Sequence, residues 1–510
     1  MRRETRIWPG RTARRDLRDV DCGLVSSFTK GPREAMHSDL AEPTPERRSL
    51  SVHRASPRPV TSRRPRNTFI PFLAALACSG PAAQDSSDSP RPEDPVTELA
   101  EMTEVTADPA RTLSGTDWPQ WRGPRRDGRL ADANGDWPGT LEREWSVTVG
   151  DGYSSPVVAG GRVFVHQRRN GEEALQALDL GSGELLWEAT GEAPFAANSY
   201  AVDEDAGPFA TPLVVAGDGP GGLVYSFGVN GVLEGRSVRD GALRCRLAPP
   251  LPDTSKMFTG AAMSPLLARD GAVVVHVGDD RGGRMVGFDC AAGQERWSWS
   301  GDGPGYASPI LFRPGGADAG EQIVTMTDRS VVALDPASGE LLWRFDFPDE
   351  WNENIVTPLA VGDLVIVAGV RRGTLALRPV RRGESWQAEV AWERPERTFY
   401  MSSPVLFDGL YVGLSNKRKG QLVALDPATG EDRFEGEGRF ADGASLVVAG
   451  EQLLVFTQAG ELVVLAWREG RLEETARIEV ADSAVRAHPA VAGDLLLVRA
   501  AGELIAWRIG

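Results

Sequence analysis

One phrase recurs along the chain: ALDLGSGELLW over 177–187, GFDCAAGQERW over 287–297, ALDPASGELLW over 333–343 and ALDPATGEDRF over 424–434. Repetition at this spacing restricts a chain to repeat architectures, because each copy is one supersecondary unit that needs its neighbours to bury its apolar face. In each copy a short apolar run leads into an Asp-x-x-x-Gly turn, and a second run ends in Trp or Phe. Asp can bond its own turn and Gly tolerates the tight backbone, so the phrase predicts a β-hairpin with an aromatic anchor.

A second signal finds the copies that this phrase has lost. Ser or Thr followed by Pro and an apolar run occurs at Ser155-Pro156, Thr211-Pro212, Ser264-Pro265, Ser308-Pro309, Thr357-Pro358 and Ser403-Pro404, with a related His488-Pro489. The prolines stand 56, 53, 44, 49, 46 and 85 residues apart, and a degenerate copy at Ser445-Leu446 divides the last interval into 42 and 43. Eight units follow. Each reads as four short strands rich in Val, Leu and Ile between Gly-containing turns, which is the pattern of a propeller blade. The last unit runs out after three strands, and LEREWSVTV (141–149) carries Trp145 where the other units carry their aromatic. The fold class predicted is all-β: an eight-bladed β-propeller of four-stranded blades, closed by an N-terminal strand that completes the last blade and leaves no open edge.

The LD-x-x-[ST]-G-x-x-x-W phrase resembles the pyrroloquinoline quinone (PQQ) repeat of quinoprotein alcohol dehydrogenases and of the outer-membrane assembly lipoprotein BamB. The lead-in DWPQWRGPRRDG (117–128) is similar to the opening of PQQ-binding-like propellers common in planctomycetes. The resemblance covers residues 117–510. It implies the fold directly and any one function much less, since one fold hosts many functions.

Composition divides the chain into residues 1–77, a basic leader and signal segment; 78–116, an acidic tether expected to be disordered; 117–140, a lead-in segment; and 141–510, the propeller. Arginines followed by a short apolar run from Phe69 to Ala77 have the layout of a secretory signal. Its end, Ala75-Leu76-Ala77-Cys78, resembles a lipobox, although Ala75 replaces the usual Leu and Pro71 interrupts the run. Cys78 is therefore the expected lipidation site, with cleaved soluble secretion as the alternative. Residues 1–77 hold 16 Lys plus Arg against 8 Asp plus Glu, so of the total of −16 the remainder carries −24. Such a surface repels phosphate backbones, and nucleic acid is not an expected partner; the membrane is reached through a lipid anchor alone. Cys245 stands at the aromatic position of the second unit and Cys290 beside the turn of the third. They can form a disulfide in an exported protein or remain two buried thiols.

Quinone-binding relatives, by the same resemblance, add a Ca²⁺ held by oxygen ligands, a catalytic Asp, a Trp floor and often vicinal cysteines. No vicinal pair is present. Asp179, Asp289, Asp335 and Asp426 recur at one turn of successive units, so they read as hairpin-capping carboxylates and not as bases. Trp187, Trp297, Trp343 and Phe434 recur likewise and read as packing between blades. Trp118, Trp121 and Trp137 are expected to fasten the lead-in across a face of the propeller. His166, His276 and His488 read as structural, and no catalytic, cofactor or metal residues are assigned.

The residues just before each proline-led strand are the candidates for a binding mouth, because the first strand of a blade lines the axis. Tyr153, Phe209, Met263, Tyr306, Tyr400 and Arg486 are the candidates; aromatic residues, Met and Arg are favoured at recognition surfaces, and a packed plug of the channel is the alternative. The expectation is a monomeric exported propeller, periplasmic or on the outer membrane, that binds a protein partner in the cell envelope without cofactor or catalysis. A PQQ-dependent dehydrogenase with a degenerate site and a sugar- or peptide-binding propeller are the other readings.

Overall fold

In the first unit Asp179 shows how a blade turns. Its carboxylate accepts hydrogen bonds from the backbone amides of Gly181 and Ser182 and from the Ser182 hydroxyl, at 2.9–3.1 Å. These bonds hold the carboxyl below its ordinary range. Asp335 and Asp426 make the same amide contacts in their own turns. The chain then reverses into a strand whose aromatic faces the next blade.

The computed structural model describes residues 117–130, 137, 140–195, 207–215, 222–250, 259–315, 320–349 and 351–510; Cys78, the leader and the tether lie outside the described residues. Eight separate four-stranded antiparallel sheets form an eight-bladed β-propeller. Blades 1 to 7 span 157–192, 213–247, 266–301, 310–346, 359–394, 405–435 and 444–479. Blade 8 takes three strands from 490–509 and its outer strand, Leu141–Thr148, from the start of the fold. The expected closure is present, and the degenerate seventh unit supplies a full blade whose first strand is Ala444–Ala449. Middle strands such as Gln452–Thr457 are buried along their whole length, because both faces pack on neighbouring blades. Outer strands are mostly exposed: of Leu185–Glu192, only Trp187 is buried.

That aromatic position fastens blade to blade. Trp145, Trp187, Trp297 and Trp392 each lie opposite Gly or Ala on the adjacent strand. Each donates its indole N–H, at 2.9–3.1 Å, to a carbonyl in the following blade's turn: Leu180, Val238, Pro336 and Pro427 respectively. The rings rest on Gly183, Gly241, Gly339 and Gly430, where an added Cβ would lie within 2.4–2.7 Å of the indole. Glycine is required there both for its positive φ and for that contact. Trp392 has no recognisable phrase around it in sequence. Trp343 departs from the scheme and donates to Gln322 Oε1 of its own blade.

Cys245 occupies the same position in blade 2, and Cys290 is the turn residue whose equivalents in other blades accept the indole bond. The two form a disulfide with Cα atoms 5.3 Å apart. Of the two alternatives for these cysteines, the structure has the bonded one. A covalent link replaces the tryptophan contact between blades 2 and 3.

Around the axis, the hydroxyl of the Ser or Thr before each proline has a defined task. Backbone N–H groups of His488, Ser155, Thr211 and Ser264 donate in succession to the hydroxyls of Ser155, Thr211, Ser264 and Ser308, each in the next blade, at 3.0–3.2 Å. Thr357 donates likewise to Ser403.

The lead-in penetrates further than a segment laid across a face. Trp118 pairs with Val158 through two backbone bonds, Pro119 O accepts from Val214, and Gly128 and Leu130 pair with Val448. Arg126 donates to the carbonyls of Ser264 and Pro265 at 3.0 and 2.7 Å, Trp121 to Thr357 Oγ1 at 3.0 Å, and Arg122 to Pro404 O. His488 of blade 8 stacks on Trp118 at 6.2 Å and meets Trp121 edge-on at 5.6 Å. Residues 117–130 thus touch seven of the eight blades and fill the axis alongside their first strands. Both buried guanidiniums are held by carbonyl dipoles, and burial lowers them to about 10 for Arg122 and about 9 for Arg126. Proline suits this inner strand, since it offers an acceptor with no amide to satisfy. Trp137 lies apart from the axis, with its backbone N–H on Gln452 and its ring in the core of blades 7 and 8.

Two expectations follow for stability. Replacing Cys245 and Cys290 together with Ser opens a loop of 45 residues and should lower stability by about 2–4 kcal/mol in equilibrium denaturation; an unchanged midpoint would mean that the link does not fasten the blades. His276 and His488 are fully buried, and burial lowers both to about 4 from 6.5. Such a histidine stays neutral when folded and takes a proton when unfolded, so stability is full above about pH 6.5 and is lost as the pH falls toward 4. The difference corresponds to about 3 kcal/mol per histidine. Denaturation curves at pH 7 and 4.5 should show this loss, and His488→Gln should remove about half of it; an equal loss in the variant would refute the assignment.

Candidate functional site

The first strands leave the residues preceding their prolines at one end of the axis, and period-two alternation decides which side chains face inward. The residue three before each proline does so: Tyr153, Phe209, Ala262, Tyr306, Ile355, Met401 and Arg486 all line one cavity of about 300 Å³. Gly443, at the same offset from Leu446, lines it too, and Thr259, Ser402, Gln458 and Val485 are among the residues that complete the wall. At the offset of two, Ser402 still borders the cavity, while Ser154, Ala210, Met263, Ala307, Val356 and Ala487 are all buried and turn into the blades.

Four of the six mouth candidates from sequence therefore meet at this cavity: Tyr153, Phe209, Tyr306 and Arg486. Met263 sits two places before its proline and is packed in the core of blades 2 and 3. Tyr400 sits four before, and its hydroxyl donates to Glu353 Oε2 at 2.6 Å instead of facing the cavity. Burial, reinforced by Glu353, raises the Tyr400 phenol, and burial raises the Glu353 carboxyl in turn. Met401, one residue along from Tyr400, takes the lining position and is 57 % exposed. A strict offset of three from the proline was the signal that identifies it, together with Ala262, Ile355 and Gly443.

The wall has an internal order. Tyr153 and Phe209 meet edge-on with centroids 5.7 Å apart, and the Arg486 guanidinium lies 4.9 Å over the Tyr153 ring while also hydrogen-bonding its hydroxyl. Among the described residues that line the cavity, Arg486 is the one charged side chain and Gln458 the one side-chain amide. Tyr153 and Arg486 also border an adjoining cavity of about 240 Å³, with walls of Gly150–Gly152, Ala500–Gly502 and Arg499. Arg499 is buried and spends its guanidinium on four carbonyls, those of Ser154, His166, Gly150 and Asp151. In the connection leading to Ile355, the half-exposed Trp351 carries Arg371 at 3.9 Å over its ring.

The histidines are placed away from this cavity. His166 meets Glu173 at 3.2 Å, and Glu173 also accepts from the Val229 amide of the next blade. His276 Nε2 is 3.1 Å from Asp302 O, and His488 lies between the lead-in aromatics and the carbonyl of Leu446. Among the described residues, no group of three or more His, Cys, Asp or Glu is placed to hold a metal ion.

Comparison with known proteins places this arrangement. Solved structures that resemble the chain include BamB from Moraxella catarrhalis, with 16% identity over 72% of this chain and 98% of that one and a TM-score of 0.49. A europium-containing methanol dehydrogenase matches at 13% identity over 78% and 98%, with a TM-score of 0.53. The quinohemoprotein alcohol dehydrogenase from Comamonas testosteroni matches at 16% identity over 79% and 82%, with a TM-score of 0.54. At such identities the two dehydrogenases speak for a shared propeller fold and no more. Among curated proteins, none matches the sequence. The family profile described as outer membrane protein assembly factor BamB matches residues 140–298 and again 281–509, which together cover the propeller from its closing strand to its last, and the chain belongs to that family.

Proposed function

We propose that this protein is an exported, lipid-anchored propeller that binds a protein partner in the cell envelope and carries out no chemistry of its own. The observation that carries this reading is the make-up of the axial mouth. Tyr153, Phe209, Tyr306, Ile355 and Met401 line it together with Arg486, and aromatic, Met and Arg side chains are those that supply most of the binding energy at protein interfaces. Alcohol oxidation by a quinone requires a cation to polarise the cofactor and a base to take the alcohol proton. The described residues lining this cavity do not fit that group: among them are one amide side chain and no carboxylate or imidazole. The family supports a role in outer-membrane assembly, and membership of the cell envelope follows from the same reading.

Full-length protein displayed on its native membrane and crosslinked to its neighbours should retain an envelope protein, and Tyr306→Ala with Arg486→Gln should weaken that capture at least tenfold, as loss of interface anchors does. The same protein mixed with PQQ and Ca²⁺ and then desalted should keep no quinone absorbance and reduce no dye with short alcohols. Stoichiometric retention with turnover would overturn the reading in favour of a dehydrogenase.

Export is tested separately. Cys78→Ala should abolish labelling by a fatty-acid probe and shift the protein from the membrane fraction to the soluble one, because an acidic surface offers no other attachment to anionic lipid. A mature N-terminus well upstream of residue 78 would contradict the anchor.

A further inference from the structure

We propose that the turn Asn416 to Gly420 of blade 6, with Arg439 beside it, is a docking surface for an acidic segment of the protein partner, a nearby apolar residue of which enters the axial mouth. The inference rests on the protein-binding reading above and adds the chemistry and place of a second contact.

The first support is unspent charge. Lys417, Arg418, Lys419 and Arg439 are all exposed. Lys417, Lys419 and Arg439 form no ion pair with a described residue, and Arg418 reaches only Glu435, at 3.5 Å, a carboxylate that Arg397 already holds at 2.6 Å. The equivalent turns of blades 3, 4 and 5 also carry arginines, and there Arg281 is committed to Asp279, Arg329 to Asp328 and Arg372 to Glu393. Against the four cations of blade 6 stand Glu437 and Asp442 of the Arg439 loop, so the turn and that loop keep two positive charges in excess, in a protein that carries −24 from residue 78 onward.

The second support is the backbone. Arg418 and Lys419 have φ of 51° and 61° and Arg439 of 58°, in the left-handed region that favours glycine. At the same turn of blades 1, 7 and 8 that region is taken by Asn170-Gly171, Gly460 and Gly502. Chain reversal alone is better served by such residues, so blade 6 keeps cations there against a backbone cost, and cost of this kind collects where side chains have a task. The amides of Arg439 and Phe440 donate to the carbonyls of Arg418 and Gly420, each at 3.0 Å, and a Cβ added to Gly438 would lie 2.7 Å from that of Arg418. The two loops are locked together by their backbones, which sets Arg439 beside the turn.

The third support is position. Asn416 Oδ1 accepts from the Thr398 hydroxyl at 2.7 Å, and three residues beyond Thr398 stands Met401 of the mouth. Arg439 is four residues from Gly443 of the same wall, and the next amide, that of Ala444, donates to Ser402 Oγ at 3.1 Å. At about 3.3–3.6 Å per residue, Arg439 lies within about 14 Å of the cavity wall, a span that a partner segment of four or five extended residues covers.

Screening decides the class of partner. A Debye length of about 8 Å at physiological salt confines the attraction to groups lying on the turn itself. An anionic bilayer or a nucleic acid is larger than the patch and meets the negative charge around it, whereas a few adjacent Asp and Glu fit within it. Lysine occurs four times in the whole chain, and two of the four are here. Its compact ammonium on a flexible stem pairs with carboxylates in many orientations, which suits a segment that the mouth already positions.

The test uses the full chain and fluorescein-labelled peptides read by anisotropy: Phe-Gly-Ser-Gly-Asp-Glu-Asp, the reversed sequence, and versions of both with Asn-Gln-Asn in place of the acids. In one of the two chain directions the acidic peptide should bind about tenfold more tightly than its amide version, and the preference should shrink as salt is raised. Lys417→Gln, Lys419→Gln and Arg439→Gln together should bring the acidic peptide to the level of the amide version without moving the melting curve, and the charge-keeping Lys417→Arg with Lys419→Arg should retain the preference. Phe209→Ala should weaken both peptides, and Arg382→Gln on blade 5 neither. Equal binding of acidic and amide peptides in both directions, or a triple variant that keeps the preference, would overturn the proposal. So would turn-dependent sedimentation with phosphatidylglycerol vesicles, which would make this a lipid contact, or unchanged affinity of the acidic peptide when its Phe is replaced by Gly, which would cut the link to the mouth. If no peptide binds while mouth-dependent capture of an envelope protein persists, this inference falls and the scaffold reading stands; loss of both removes both.

Discussion

An indole resting on a glycine of the next blade is the contact on which the rest of this structure depends. Four-stranded blades cannot exist alone, because their middle strands are apolar on both faces and must be covered from either side. Mutual burial brings the blades together without specifying their angle. The tryptophan contact supplies that: the ring needs a bare Cα beneath it, and its N–H needs one particular carbonyl, so each blade is set against the next at one position. Where the sequence lacks the tryptophan, other contacts serve. A disulfide joins blades 2 and 3, Phe434 meets Trp467 edge-on between blades 6 and 7, and Trp507 of blade 8 reaches back to Val480 O.

Regular spacing at the periphery produces a regular axis, and the two ends of that axis are put to different uses. At one, the lead-in segment saturates inner-strand carbonyls with arginine and backbone donors, burying two cations that only the convergence of several blades could solvate. The other end keeps an open cavity walled by one residue from each repeat. A ring of equivalent positions is free to differ in chemistry while remaining identical in backbone, and seven positions of this ring carry Tyr, Phe, Ala, Tyr, Ile, Met and Arg.

Much of this was readable in advance because repetition carries its own register. Eight units, four strands to a blade, the degenerate copy at Ser445-Leu446 and the closing strand around Trp145 all follow from spacing, since a repeat that cannot bury itself must recur until the ring closes. Capping by Asp179 and its equivalents is local chemistry, contained within a few residues, and was legible for the same reason. The mouth was legible in part. Tyr153, Phe209, Tyr306 and Arg486 keep the offset of three from proline, whereas Met263 and Tyr400 lie one place to either side of it, and a one-residue slip in a strand turns a side chain to the opposite face.

By itself, then, the sequence determined the repeat, the number of blades, the turn chemistry and the mode of closure, because these depend on neighbours in the chain and on its periodicity. Only the tertiary structure decided that Cys245 and Cys290 are bonded, that Trp392 joins the inter-blade series, and that Arg122 and Arg126 enter the axis. Each of these depends on groups 35 to 282 residues apart being brought together by the packing of blades around the axis. No local pattern encodes such a meeting, because the partner of a buried guanidinium here is a backbone carbonyl, which every residue possesses and only geometry selects.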